Sequence, residues 1–241
     1  MKYILAFITL IQALLIVLWT AFCGIIGIVF IILTQQRRAI MLILEHYVWS
    51  PFVCAVALVR VKSSGLENLD RKGKYIYVAN HASLFDIAAM CRACPVALFY
   101  IAKIELKKIP IMGHYMTVSG MIFIDRKNKE SSMESMRRAG ESIKSGRNVI
   151  SFPEGTRSKD GTIGIFKRGS FLIAKENNIG IVPVTIKGTE KITPNGTFSL
   201  NSGTVKVHFN EIIQPEEFQH LTVEQIADLA RNRIISSRDA L

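Results

Sequence analysis

Charged residues are absent from a long stretch near the start of this chain, between Tyr3 and Gln36. The stretch is much longer than the apolar region of a secretory signal peptide, about 7–15 residues, and it has no clear cleavage site, which argues against a cleaved signal. One membrane span needs about 20 apolar residues, and this stretch is longer than that. We therefore predict a membrane-embedded helix that either spans with an overhang or bends near Gly24 and Gly27.

Cysteine is scarce, and the four cysteines are Cys23, Cys54, Cys91 and Cys94. Only Cys91 and Cys94 have C-x-x-C spacing, and no second pair exists to complete a zinc site. This pair also falls in a predicted helix rather than at the strand-to-helix turn that a redox motif needs. We predict structural thiols in a reducing compartment, and no metal site.

Acidic residues are few, with 19 Asp and Glu against 30 Lys and Arg and a formal net charge of +11. Such a balance is typical of proteins that bind nucleic acid, an anionic membrane or phosphorylated substrates. The chain lacks zinc-finger spacing and an aromatic RNA-binding motif, so nucleic acid is not a predicted partner. Beside an apolar N-terminal stretch, the charge favours the membrane bilayer and a phosphorylated substrate.

A second apolar segment, residues 39–58, follows the pair Arg37 and Arg38. The heavier positive flank after the first stretch predicts that this end lies in the cytoplasm. The segment contains a glutamate, a tryptophan and Pro51, and the missing N–H of Pro51 predicts a kink. These features favour a helix in the membrane interface over a second span. A core helix of a soluble domain is the alternative.

Short apolar runs alternate with helical patterns after Val61, which predicts an α/β fold with a mostly parallel central sheet flanked by helices. The N-terminal membrane-embedded helical segment precedes it. The predicted strands are residues 75–79, 98–102, 121–124, 148–152, 181–187 and 205–209, and the predicted helices are 87–92, 129–145, 170–177 and one that begins near Thr222. We divide the chain into membrane-anchoring helices, residues 1–58, and a catalytic domain, residues 59–241.

A polar cluster, residues 80–86, follows the first of these predicted strands. On an ideal helix, positions five apart point about 140° away from each other, so His81 and Asp86 can meet only if His81 lies in the turn before the helix. Asp86 would then contact one imidazole nitrogen and leave the other to accept a proton from a hydroxyl. The alternative is a capping arrangement between Ser83 and Asp86, with His81 a satisfied polar residue.

Two further clusters also follow predicted strands. One strand ends in Asp125 and Arg126, which places a cation at the sheet edge, although a surface ion pair is the alternative. In the other cluster, Gly155 permits a tight turn, Thr156 offers a hydroxyl and Arg157 offers a planar fork suited to phosphate oxygens.

These motifs together resemble those of the glycerolipid acyltransferases, in particular the bacterial 1-acyl-sn-glycerol-3-phosphate acyltransferases. The first family motif, His-x4-Asp, is matched by His81 and Asp86, and the fourth, an apolar strand around a proline, by residues 181–184. The second and third are matched by Gly120 with Phe123-Ile124-Asp125-Arg126 and by Phe152-Pro153-Glu154-Gly155-Thr156-Arg157. The resemblance covers roughly residues 59–210.

The resemblance implies that His81 is a general base oriented by Asp86, and that Pro183 shapes the acyl-chain site. It implies a site for the phosphate of lysophosphatidic acid formed by Lys103, Arg126, Glu154, Gly155, Thr156 and Arg157. The expected reaction moves an acyl group from acyl-CoA or acyl-ACP to the sn-2 hydroxyl, giving phosphatidic acid in phospholipid biosynthesis, with no cofactor. We expect backbone N–H groups at the helix start to meet the oxyanion, and an inner (cytoplasmic) membrane location with the catalytic domain facing the cytoplasm.

Three other functions are considered. An acyltransferase of the same family could act on another lysophospholipid or a lyso-amino-acid lipid. A hydrolase with Ser83 as nucleophile would need a G-x-S-x-G elbow, which the sequence around Ser83 lacks. A non-catalytic protein that binds anionic lipid would have no use for the intact pair His81 and Asp86.

Overall fold

The computed structural model describes residues 2–125, 127–158, 161–194 and 196–241. Its centre is a single sheet. The strands are β1 (Val59–Ser64), β2 (Ile76–Ala79), β3 (Leu98–Lys103), β4 (Ile122–Ile124), β5 (Asn148–Ser151), β6 (Ile181–Lys187) and β7 (Gly203–Phe209). They lie in the order β1-β7-β6-β2-β5-β3-β4.

Strands β2 to β6 run parallel to one another, whereas β7 runs antiparallel to β6 and parallel to β1. The mostly parallel sheet predicted from the sequence is thus confirmed. Every residue of β2 and β5 is buried, as expected for parallel strands covered on both faces. The sequence pattern misses β1, because this edge strand is largely exposed and has no continuous apolar run.

The first helix, α1 (Lys2–Thr34), has 33 residues and continues without a break through Gly24 and Gly27. The glycines instead allow close packing against the helix that carries Tyr115, because a Cβ on Gly27 would lie 2.5 Å from the Tyr115 ring. A side chain at this position would therefore push the two helices apart.

The second apolar segment forms α2 (Arg37–Met41), a π-helical stretch (Leu42–Trp49) and α3 (Ser50–Val56). The wider π turns end at Trp49, two residues before Pro51, whose missing N–H interrupts regular hydrogen bonding. Two helical stretches, Tyr3–Thr34 and Arg37–Val56, are long and apolar enough to cross a membrane. Core helices and signal sequences can meet the same criterion, so this finding supports membrane association without fixing the orientation.

Polar bonds join the second helical stretch to the rest of the protein. The Tyr115 hydroxyl donates to Glu45 Oε1 at 2.9 Å, and His46 Nδ1 lies 2.9 Å from the carbonyl oxygen of Cys91. All four cysteines are free and buried, in agreement with structural thiols. The N-terminal helices therefore rest on the helices next to the sheet.

Helices cover both faces of the sheet. The remaining helices are α4 (Phe85–Ala93), α5 (Met112–Ser119), α6 (Lys129–Lys144), α7 (Gly169–Asn177), α8 (Thr189–Ile192), α9 (Pro215–Phe218) and α10 (Val223–Ala240). Side chains alternate along each strand, so Tyr77 of β2 belongs to the core under α3 and α4, whereas its neighbour Ile76 belongs to the core under α6, α7 and α10.

Candidate active site

The segment that carries the candidate base begins where β2 ends. Asn80 is buried, and its side-chain amide donates to the carbonyl oxygen of Ile186 and accepts from the Ile186 N–H, both at 2.8 Å. These two bonds continue the pairing between β2 and β6 by one residue and anchor the chain directly before His81. The segment therefore leaves the carboxyl edge of the parallel sheet, where α/β folds place ligand sites.

His81 lies in the turn before α4, and its ring reaches back to Asp86. His81 Nδ1 is 2.6 Å from Asp86 Oδ2, and the same oxygen accepts the backbone N–H groups of Ala82 at 2.8 Å and Ser83 at 3.0 Å. The Asp86 side chain is fully buried, whereas that of His81 is 18% exposed. The contact required for an oriented base is present, and the catalytic roles of both residues stay predictions.

Ser83 is fully engaged in local structure. Its hydroxyl accepts the backbone N–H of Phe85 at 3.1 Å and donates to the carbonyl oxygen of Thr193 at 3.2 Å. It thus satisfies the first backbone N–H of α4 and joins the start of this helix to Thr193, directly after α8. The amides of Ala82, Ser83 and Phe85 all donate within this turn, so these three are not available to an oxyanion. The expected oxyanion donors at the helix start stay a prediction.

An aromatic ring supports the imidazole of His81. The His81 and Phe152 rings stack with centroids 4.3 Å apart and planes at 23°. Within the part of the chain that the structure describes, no residue is hydrogen-bonded to His81 Nε2. The ring is thus held by Asp86 on one edge and by Phe152 on one face, with its second nitrogen open to a substrate.

Glu154 holds the main chain of His81. Its Oε1 accepts the His81 N–H at 2.7 Å, and its Oε2 accepts the Gly164 N–H at 2.9 Å. The Ser158 N–H donates to the His81 carbonyl oxygen at 2.8 Å, so both sides of His81 are tied to the same segment. Burial raises the pKa of Glu154, and the two backbone hydrogen bonds oppose that rise.

The sequence does not predict the contact between Glu154 and His81; the family resemblance instead implies that Glu154 contacts the substrate phosphate. The two residues are 73 positions apart, so no local spacing signals their contact. A phosphate contact from Glu154 stays a prediction. Both of its oxygens are already committed to amides, and a carboxylate offers a phosphate only repulsion unless it is protonated.

The turn after β5 contains Arg157 and lies against Lys167. Thr156 and Arg157 are exposed there, and Gly155 has φ of +75°. A Cβ on Gly155 would lie 2.7 Å from Lys167 Nζ, and the Lys167 N–H donates to the carbonyl oxygen of Pro153 at 2.9 Å. Lys167 thus adds an ammonium group to the predicted site. The sequence signal that could have indicated Lys167 is its place between Phe166 and the basic residue Arg168.

The remaining predicted site residues are Lys103, Arg126 and Pro183. Lys103 ends β3, which pairs with β5, and its Nζ lies 3.1 Å from Glu105 Oε1. Arg126 lies outside the described residues, so its predicted role is untested. Pro183 is buried in β6 beside Val78 of β2, and its part in an acyl-chain site stays a prediction.

Among the residues that the structure describes, no group of three or more His, Cys, Asp and Glu side chains could hold a metal ion. A hydrogen-bonded histidine and buried aspartate, beside a turn rich in cations at the end of parallel strands, is the arrangement of an enzyme that activates a hydroxyl on an anionic substrate.

Comparisons with known proteins identify the family. The family model described as Acyltransferase matches residues 60–187, a range that includes β2, the His81 turn and the segment around Glu154. The chain belongs to this acyltransferase family.

Named relatives extend the similarity. An Arabidopsis thaliana protein named 1-acyl-sn-glycerol-3-phosphate acyltransferase LPAT1, chloroplastic, is 36% identical over 75% of this chain. This chain spans only 49% of that protein's length. A Saccharomyces cerevisiae protein named 1-acyl-sn-glycerol-3-phosphate acyltransferase is 30% identical over 95% of this chain and 76% of its own length.

A solved structure has the same fold. The crystal structure of the 1-acyl-sn-glycerophosphate (LPA) acyltransferase PlsC from Thermotoga maritima superposes with a TM-score of 0.86 at 28% identity. The match covers 99% of this chain and 96% of that chain, so it includes the N-terminal helices. The resemblance that the four motifs indicated is confirmed.

Proposed function

We propose that this chain transfers an acyl group from an acyl thioester to the sn-2 hydroxyl of 1-acyl-sn-glycerol-3-phosphate and forms phosphatidic acid. The observation that carries the proposal is the 2.6 Å contact between His81 Nδ1 and Asp86 Oδ2 in a chain whose relatives bear the name of this reaction. The family alone supplies the class of reaction, and the oriented imidazole supplies its base.

The proposed mechanism uses His81 as general base. Because Nδ1–H donates to Asp86, the neutral ring presents the lone pair of Nε2 to the hydroxyl. Nε2 takes the hydroxyl proton while the oxygen attacks the thioester carbonyl, and base assistance of this kind contributes about 10²–10⁴-fold. The tetrahedral intermediate then breaks its C–S bond, and the imidazolium returns the proton to the leaving thiolate. Buried Asp86 stabilises the imidazolium, and no acyl-enzyme is formed.

The phosphate of the acceptor would bind at the turn after β5. Arg157 is exposed and makes no ion pair within the described residues, so its guanidinium can take two phosphate oxygens in a bidentate manner. We add Lys167 to the predicted set, because its ammonium group lies against Gly155. Lys103, Thr156 and Arg126 complete the proposed site.

The acyl donor would be acyl-CoA or acyl-ACP, used as a co-substrate with no other cofactor. Both carriers are anionic, and the chain has a net charge of +11. We propose that the acyl chain lies near Pro183. We further propose a location at the inner (cytoplasmic) membrane, supported by the two apolar helical stretches. Arg37 and Arg38 support a cytoplasmic position for residues 59–241, with the second stretch lying in the membrane interface rather than crossing the bilayer.

Acyl transfer by the purified protein in lipid tests this proposal. Wild type should form labelled phosphatidic acid from 1-acyl-sn-glycerol-3-phosphate and labelled acyl thioester, and His81→Ala should lose roughly 10²–10⁴-fold in kcat. His208→Ala is a matched control, because His208 contacts Ser64 at the far edge of the sheet. Preference for another lysophospholipid or a lyso-amino-acid lipid in competition would overturn the acceptor, and an active His81→Ala would overturn the base.

A further inference from the structure

Arg231 of α10 lies outside the four motifs and outside the range that the family model matches. Its Nε donates to the carbonyl oxygen of Gly164 and its Nη2 to the carbonyl oxygen of Ile163, both at 2.7 Å. A guanidinium is planar and presents its N–H groups in a fixed fork. Two bonds to consecutive carbonyls therefore fix both the position and the orientation of the loop at Ile163 and Gly164, which precedes α7.

The second of these bonds falls on the peptide unit that contacts Glu154. The Ile163 carbonyl and the Gly164 N–H belong to one planar peptide group and point in opposite directions. Arg231 holds the oxygen of this group, while Glu154 Oε2 accepts its N–H at 2.9 Å. Holding the oxygen therefore aims the N–H at Glu154, and it also polarises that N–H and strengthens the next bond.

Glu154 connects the Gly164 peptide group to the main chain of His81. Its other oxygen accepts the His81 N–H at 2.7 Å, so the hydrogen bonds run from α10 to the main chain of His81. Burial already raises the pKa of Glu154. If the Gly164 N–H turned away, Oε2 would lose its donor and the carboxylate would rotate or take up a proton, which weakens its hold on His81.

We propose that Arg231 is a positioning residue for His81, acting through the peptide group between Ile163 and Gly164 and through Glu154. The part of the inference that concerns catalysis rests on the proposed function. The part that concerns the position of the His81 main chain does not, because it follows from the hydrogen bonds alone.

Arg233 provides a matched control on the same helix. Its Nη2 lies 2.7 Å from Glu217 Oε2, and its Nη1 donates to the carbonyl oxygen of Glu211 at 3.2 Å. Arg233→Ala thus removes the same charge and a similar number of bonds from α10, but these bonds have no connection to Glu154.

Amide hydrogen exchange of the full chain tests the structural part. We expect Arg231→Ala to speed exchange in the peptide that contains His81 by about tenfold, the factor for one lost hydrogen bond. Arg233→Ala should leave that peptide unchanged. Arg231→Lys keeps the charge and most of the packing but cannot form the fork, so it should have an intermediate effect and remains informative if the alanine variant is unstable. Equal exchange at His81 in wild type, Arg231→Lys and Arg231→Ala would overturn the proposal.

Kinetics test the catalytic part. We expect Arg231→Ala to lower kcat by roughly 10–10²-fold, the scale for a slightly misplaced catalytic group, with KM for both substrates changed by less than about twofold. Glu154→Gln cannot accept both amides and should lower kcat similarly. Because both changes act on one path, adding Arg231→Ala to Glu154→Gln should cost less than about another twofold.

Additive losses in the double variant, or an Arg231→Ala enzyme as active as Arg233→Ala, would refute the positioning role. If wild type fails to acylate 1-acyl-sn-glycerol-3-phosphate, the proposed acceptor fails, and the exchange experiment still decides the role of Arg231.

Discussion

Replacement of Asp86 by asparagine tests how the base is oriented. Asp86 Oδ2 accepts three hydrogen bonds, from His81 Nδ1, Ala82 N–H and Ser83 N–H. Its other oxygen, Oδ1, is buried and has no hydrogen-bond partner in the described part of the chain. The asparagine of Asp86→Asn can place its oxygen or its amide group where Oδ2 now lies. The amide group there would face two backbone donors, so we expect the oxygen to occupy this position.

The orientation of the asparagine side chain determines the expected loss of activity. With the oxygen facing His81, Nδ1 keeps its proton and Nε2 stays free to act as base. What is lost is the negative charge opposite the imidazolium, worth at most about 4 kcal/mol for two charges about 4 Å apart at an effective dielectric constant of about 20. We therefore expect kcat to fall by roughly 10–10³-fold. The new amide group, buried without a partner, should also lower the free energy of unfolding by about 1–3 kcal/mol.

The assay is acyl transfer under saturating substrates, with thermal unfolding measured alongside. In a serine protease triad, the same substitution costs about 10⁴-fold because the imidazole takes the wrong tautomer. A loss of that size here would refute the argument from the three donors. Full activity in Asp86→Asn would show that Asp86 serves only to cap the turn.

Two further predictions concern the surroundings of the base. Arg157→Ala should raise KM for the lysolipid by about 10–10²-fold, the range for a lost charge-assisted bond to phosphate, with little change in kcat. Arg138→Ala, on the exposed face of α6, should leave KM unchanged. An unchanged KM in Arg157→Ala would remove it from the phosphate site. Asn80→Ala should lower the free energy of unfolding in urea by about 1–3 kcal/mol, because it leaves the buried backbone groups of Ile186 unpaired. A change below about 0.5 kcal/mol would contradict this account.

The sequence predicts those parts of the fold whose causes are local. Continuous apolar runs such as residues 76–79 mark strands buried on both faces, and the turn before α4 follows from the spacing of His81 and Asp86. The edge strand β1 is missed, because most of its residues face solvent and its stability comes from pairing with β7.

The site is predicted less completely for the same reason. His81 and Asp86 are close in sequence, so geometry along one turn is enough to join them. Glu154 reaches His81 across 73 positions and Arg231 reaches Ile163 across 68. Such contacts depend on how β2, β5 and α10 are placed in three dimensions, which no local pattern encodes.

The bonds between the N-terminal helices and the rest of the protein affect how the chain can be divided. A fragment that began at Val59 would leave the Tyr115 hydroxyl without Glu45, and the carbonyl of Cys91, near the end of α4, without His46. His81 lies in the turn before α4, and Asp86 lies in the first turn of that helix. Loss of the His46 contact at the far end of α4 would therefore weaken the support of both residues. The helices that would meet the bilayer therefore also support the turn that carries His81, and a shift of these helices in the lipid would change the position of His81.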